Sequence, residues 1–143
     1  MKKEQFCIEG KNCTAYINGK PEFLLIQPVD DHDLEGLDRQ IETLSAATDA
    51  SFVHIAFKIE DWNRELSPWP APPVFGREGF GEGAEETLRF VRSGLIDYAI
   101  RSFELTKGIP VVLGGYSLAG FFALWSAYQT DLFSGIAAVS PSV

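Results

Sequence analysis

The sequence predicts a three-layer α/β/α sandwich built on a mostly parallel sheet, and three observations carry that expectation. β-rich apolar runs alternate with segments of helical period, the pattern of strands joined by helical crossovers. Phe52–Ile59 is apolar enough for a strand covered on both faces. Gly108 to Val143 contains one charged residue, Asp131, so this last stretch is expected to be buried on nearly all sides.

The elements follow in order. Phe6–Glu9 and Cys13–Ile17 read as short strands joined at Gly10-Lys11-Asn12, a hairpin-type turn. Asn18-Gly19 and Pro21 break the chain before a third strand, Phe23–Gln27, expected to end at Pro28. Asp33 can cap a helix whose Leu34, Leu37, Ile41 and Leu44 recur on one face. The strand at Phe52–Ile59 follows. A second helix opens after Gly83, with Glu85 and Glu86 in its first turn, where the dipole favours acids. Its buried face carries Leu88, Val91, Leu95, Ala99 and Phe103, and Gly94 costs it about 1 kcal/mol relative to alanine. Lys107, Gly108 and Pro110 stop it. Val111–Leu113 reads as a buried strand, Leu118–Tyr128 as an uncharged helix and Gly135–Val139 as another buried strand. With no repeat and no linker, residues 1–143 form a single domain.

Composition narrows the function. Twelve lysines and arginines against 20 acids give a net charge of −8, a poor match for nucleic acid or an anionic membrane surface. Seven of those acids (Asp30, Asp31, Asp33, Glu35, Asp38, Glu42 and Asp49) cluster against Arg39 alone, which reads as a solvated face. No window reaches the ~20 apolar residues of a membrane span. The start has no apolar core of a secretory signal, and Cys7 and Cys13 supply neither a disulfide framework nor a four-ligand metal site. A reduced, cytoplasmic protein is expected.

The chemistry sits in Gly114-Gly115-Tyr116-Ser117-Leu118-Ala119-Gly120, between an expected buried strand and an expected buried helix. Gly-x-Ser-x-Ala is a one-residue variant of the nucleophile elbow. A strand that reverses into a helix within a few residues forces the serine into a strained backbone, with its hydroxyl above the sheet edge. Positions two before and two after the serine must be tiny, as Gly115 and Ala119 are, to clear the neighbouring strand. The helix start brings the Leu118 N–H beside Ser117 as an oxyanion donor. The competing explanation is simple packing of small residues in a tight turn. No lysine follows the glycines, and Gly-x-Gly-x-x-Gly is absent, which removes nucleotide-binding loops.

With these residues in place, the sequence resembles the α/β-hydrolase superfamily, in particular the esterase branch that includes enterochelin-esterase-like and esterase-D-like enzymes. Element order agrees: three strands, helix, strand, helix, strand, elbow serine, helix, strand. Arg64-Glu65-Leu66-Ser67-Pro68, followed by Gly83-Ala84 opening a helix with Leu88 and Phe90, is similar to the segment upstream of that branch's elbow. The resemblance implies an α/β-hydrolase-like fold, incomplete at its C-terminal side. It also implies a small-molecule ester or thioester as substrate and Ser117 as nucleophile. Leu118 supplies one oxyanion donor and Val29 or Asp30, in the loop after the third strand, the second. No metal or organic cofactor is implied. Glu60 to Gly83 is a long connection carrying Trp62, Trp69, Phe75 and Phe80 with four prolines, a candidate pocket wall or a cover for the core. Tyr116, beside the serine, joins that candidate pocket.

In this superfamily an acid and then a histidine follow the nucleophile. After Ser117 this chain offers Asp131 and no histidine. Asp131 falls at the far end of the helix, His54 reads as a core histidine, and His32 as a solvated loop residue. The expectation is the N-terminal part of an esterase-like enzyme, of doubtful activity alone, with a binding or assembly module or an acyltransferase as alternatives. Gly135–Val139 is expected to be an open edge that invites self-association.

Overall fold

A computed structural model describes residues 1–72 and 79–140. Six strands form one sheet: β1 (Lys2–Ile8), β2 (Lys11–Ile17), β3 (Phe23–Val29), β4 (Phe52–Lys58), β5 (Val111–Tyr116) and β6 (Gly135–Val139). Their spatial order is β1-β2-β4-β3-β5-β6. β2 is antiparallel to both its neighbours, β1 and β4, while β4, β3, β5 and β6 run parallel. The hairpin turn uses left-handed Glu9 (φ 50°) and Gly10 (φ 80°), the twist a two-residue reversal needs. β3 does not end at Pro28 but continues to Val29. Proline is tolerated there because the ladder to β5 stops at Ile26, leaving β3 paired only with β4.

Strand alternation divides the sheet into two faces. On one, Leu24, Ile26, Val53, Ile55, Phe57, Val111 and Leu113 form the larger core with the helices that follow β4 and β5. These are α3 (Trp62–Glu65), α4 (Ala84–Arg89), a π-helical turn (Phe90–Leu95), α5 (Ile96–Ser102) and α6 (Leu118–Gln129). The π turn widens the buried stripe, so Phe90 joins Leu88, Val91, Leu95 and Ala99, while Phe103 is half-buried. Gly94 leaves room for the Glu9 carboxylate, which Arg89 holds. On the other face, Tyr16, Val29, Phe52 and Ala56 pack under α2 (Leu37–Ala47), through Leu37 and Ile41. The helical segment here is two helices, not one. α1 (Asp31–Glu35) is capped by Asp30, with Asp33 as the reciprocal partner of a capping box, and Gly36 separates it from α2.

α2 covers β2, β4 and β3, but among the described residues no helix covers β5 and β6 on that face. This corrects the expectation that residues 108–143 are buried on nearly all sides. Tyr116 is 54% exposed and Val139 56%, and Ala137 is exposed between them. Across the sheet, Leu124 and Tyr128 of α6 also face solvent, as does Leu132 beyond it.

His54 lies fully buried in β4 beneath α2. Its Nε2 is 3.0 Å from Gln27 Oε1, which also accepts from Gln40 Nε2 at 2.8 Å, while Nδ1 has no partner. Burial pushes the imidazole down from 6.5 to about 4. The unfolded chain therefore binds a proton that the folded chain refuses as pH falls from 6.5 to about 4, and stability present above that window is lost through it. We predict a loss on the order of 3 kcal/mol from this group. It should be visible as a falling urea midpoint that flattens in His54→Phe; equal slopes for both proteins would contradict it.

Candidate functional site

β5 carries the chain up to the sheet's C-terminal edge and α6 carries it back along one face, with Ser117 alone between them. Its backbone sits at φ 58°, ψ −122°, a left-handed conformation that is costly for a residue with a side chain. Three contacts hold it. Ser117 N–H donates to Val139 O of β6 at 3.0 Å, and Ser117 O accepts from Phe121 N at 3.1 Å as the first bond of α6. The third is steric: a Cβ on Gly115 would lie 2.5 Å from the Ala119 backbone and 2.7 Å from its Cβ. The smallness of Gly115 is thus required by its approach to Ala119. Ser117 is half-buried, at the mouth of the edge rather than in the core. Leu118 is the first residue of α6, and its N–H belongs to the turn whose donors lack intrahelical partners.

The elbow lies at a topological switch point. The chain leaves β3 to helices on one face and leaves β5 to α6 on the other, and the two strands are neighbours. Loops diverging in this way open a crevice at the strands' C-terminal ends, where α/β sheets bind ligands. Val29 ends β3 at this edge of the sheet, and Asp30 follows it as the N-cap of α1. The Asp30 N–H is donated to Asp33 Oδ2 at 3.1 Å, so the capping box occupies it in this structure. Burial raises the Asp33 carboxyl above its ordinary range, and the hydrogen bond from the Asp30 N–H works against that rise. His32 is exposed on α1, whereas His54 is enclosed beneath α2. Asp131 follows α6 at the end opposite the elbow.

The segment after β4 reaches the elbow. Trp69 is 56% exposed and packs edge-on against Phe121, one turn of α6 beyond Ser117, at 6.0 Å between ring centroids. Trp62 and Phe80 instead pack against the core, and Phe75 lies outside the described residues. Tyr116 is exposed beside Ser117 on the uncovered face. Glu65 anchors this segment, a role the sequence did not disclose. Its buried carboxylate accepts from the N–H groups of Glu60 (3.1 Å) and Asp61 (2.7 Å) and pairs with Lys11 of the hairpin. Its carbonyl accepts from Thr87 Oγ1 at 2.6 Å. Burial alone would raise the Glu65 carboxyl; Lys11 and the Asp61 N–H outweigh it and hold the group below its ordinary range. Gly81 and Gly83 pass so close to Arg64 and Glu65 that neither has room for a Cβ. Among the described residues, no cluster of His, Cys, Asp or Glu could hold a metal ion, and no helix is long and apolar enough to cross a membrane.

Strand order, crossover faces and elbow together define an α/β-hydrolase fold. The structure is similar to the siderophore hydrolase EstA from Aspergillus nidulans (TM-score 0.76, 17% identity), covering 98% of this chain and 57% of that one. It is similar also to an IroE-like serine hydrolase from Shewanella oneidensis (TM-score 0.77, 15% identity), covering 98% of this chain and 51% of the other. The BES protein from Bacillus cereus matches at TM-score 0.67 and 19% identity, over 99% of this chain and 61% of its own. The chain thus spans between half and two thirds of the length of these structures. No protein-family model and no curated protein matches the sequence.

Adjacent glycines of β5 test the elbow. A Cβ on Gly114 meets nothing closer than 3.5 Å, whereas one on Gly115 meets backbone at 2.5 Å. Gly115→Ala should cost about 1–3 kcal/mol, and Gly114→Ala should be neutral or stabilising. Equal effects in chemical denaturation would contradict the geometry.

Proposed function

We propose that this chain is a serine-hydrolase scaffold of the esterase type, with Ser117 as its nucleophile. The observation that carries the reading is the left-handed Ser117 backbone between β5 and α6 at the sheet's switch point. In the proposed reaction Ser117 Oγ attacks the carbonyl carbon of an ester or thioester. The carbonyl oxygen takes the negative charge and is stabilised by the Leu118 N–H, with the second donor at Val29, or at Asp30 once its N–H is released from Asp33 Oδ2. The bond to the alcohol or thiol breaks, that group leaves with a proton, and water later releases the acid from the acyl-enzyme. An alcohol in place of water would make the same chemistry acyl transfer. Trp69, on its Phe121 support, and Tyr116 would line the acyl or alcohol side; Trp62 serves the core instead.

The substrate is a small-molecule ester. Two of the similar proteins are named as a siderophore hydrolase and a serine hydrolase, which supports an ester class without fixing the acid or alcohol. Two free thiols and no disulfide support a cytoplasmic setting.

A second reading, a binding module that keeps the fold without turnover, is favoured by the histidines. The chain has two. His54 is enclosed beneath α2, and His32 stands exposed on α1. Loss of the histidine from a serine protease costs on the order of a millionfold in turnover. Stoichiometric acylation, not turnover, is therefore the informative measurement. A fluorophosphonate should add one adduct per chain, mapped to Ser117 by peptide mass spectrometry, faster as pH rises, and absent from Ser117→Ala. An unmodified chain, or equal modification of both proteins, would leave only the binding module.

A further inference from the structure

We propose that the Asp33 carboxylate is a self-inhibitory stopper on the second oxyanion donor, and that this donor is the Asp30 N–H. The inference rests on Ser117 as nucleophile and decides between Val29 and Asp30. Among the described residues no peptide bond is cis, so the Val29 carbonyl and the Asp30 N–H point in opposite directions. Val29 O accepts from Ile59 N at 2.9 Å, on the β4 side. The Asp30 N–H therefore points away from β4 and towards β5. Strand alternation gives the same answer from the other end of β3. Leu24 N–H donates to Pro110 O, next to β5, at 2.9 Å, so the backbone groups of Leu24, Ile26, Pro28 and Asp30 share the β5 side. Pro28 has no N–H to offer. Asp30 is thus the first residue past the β3–β5 ladder with a donor on that side, whereas the Val29 N–H is turned to β4. Register sets its height. Ile26 lies opposite Leu113, and four residues further along each parallel strand stand Asp30 and Ser117.

The group that occupies this donor is an anionic oxygen. Asp33 Oδ2 lies 3.1 Å from the Asp30 nitrogen, where the oxyanion of a tetrahedral intermediate would take the same bond. One N–H cannot serve both, and two negative oxygens side by side repel each other. A reacting carbonyl must therefore displace the carboxylate. The fold permits this. α1 has five residues, buries none of them, and is separated from α2 by Gly36. Asp33 N–H donates to Asp30 Oδ1 at 2.8 Å whichever way the Asp33 carboxylate turns, so α1 keeps its cap when the stopper leaves.

Fluorophosphonate labelling at fixed pH tests this in wild type, Asp33→Ala and Asp31→Asn. Ser117 Oγ bonds to phosphorus, fluoride leaves, the hydroxyl proton passes to water, and the phosphoryl oxygen takes the donors. Asp33→Ala should label Ser117 about tenfold faster than wild type. Asp31→Asn removes an exposed acid from the same turn and should change the rate by less than about twofold. Equal rates for wild type and Asp33→Ala overturn the stopper and leave Ser117 as nucleophile. Equal acceleration by Asp31→Asn, which reports general charge, overturns it too. Ser117 unlabelled in every form removes the nucleophile and the stopper with it. Should Asp33→Ala fail to fold, the Asp30 amide resonance of the wild-type chain decides. It should follow Asp33 ionisation before labelling and cease to do so once Ser117 carries the phosphonate. An amide that still tracks Asp33 after labelling would refute the displacement.

Discussion

The close approach of Gly115 to Ala119 governs the candidate site of this molecule. With no Cβ at 115, β5 can turn into α6 across one residue, and that residue must then adopt φ 58°. The serine gains no rotational freedom from this arrangement and bears a backbone strain of order 1–3 kcal/mol. What offsets the strain is cooperative. The Ser117 N–H reaches across to Val139, and its carbonyl starts the α6 hydrogen-bond ladder. The elbow thus binds two strands and a helix, and burial of Phe122, Ala123 and Leu113 holds those three together.

Around the elbow the sheet supplies placement and the loops supply the candidate site's residues. β3 and β5 send their chains to opposite faces, and their C-terminal ends place Ser117, Leu118, Val29 and Asp30 along one edge of the sheet. The third contributor, the segment after β4, is pinned by one buried carboxylate. Glu65 draws two backbone N–H groups and Lys11 to itself, so the position of Trp69 over Phe121 rests on an ion pair reaching back to the hairpin. Removing one member of such a pair leaves the other buried and uncompensated.

Much of this was legible in the sequence. β4 and the helical stretch after Gly83 announce themselves through apolar period, and the elbow through Gly-x-Ser-x-Ala in a strand–helix context. What sequence could not give is relational. Lys2–Glu4 look unlike a strand because β1 is an edge that needs no buried flank at its start. The π turn at Phe90–Leu95 leaves an apolar pattern that an α-helix also satisfies. Asp30, not Asp33, caps α1, since the two acids exchange bonds and either reads as a cap. Gly108 to Val143, with Asp131 as its one charge, reads as buried chain because apolarity signals contact without saying what makes it. Here, among the described residues, no helix lies over β5 and β6 on one face.

The claim on which the rest depends is that the backbone at 117 is held in a conformation only glycine adopts freely. Comparing Ser117→Gly with Ser117→Ala in chemical denaturation tests it directly, because both remove the hydroxyl and differ only in the Cβ. The account predicts that glycine is the more stable of the two by about 1 kcal/mol or more. Alanine equal to or more stable than glycine would mean a relaxed turn at this position, and the nucleophile elbow would be contradicted.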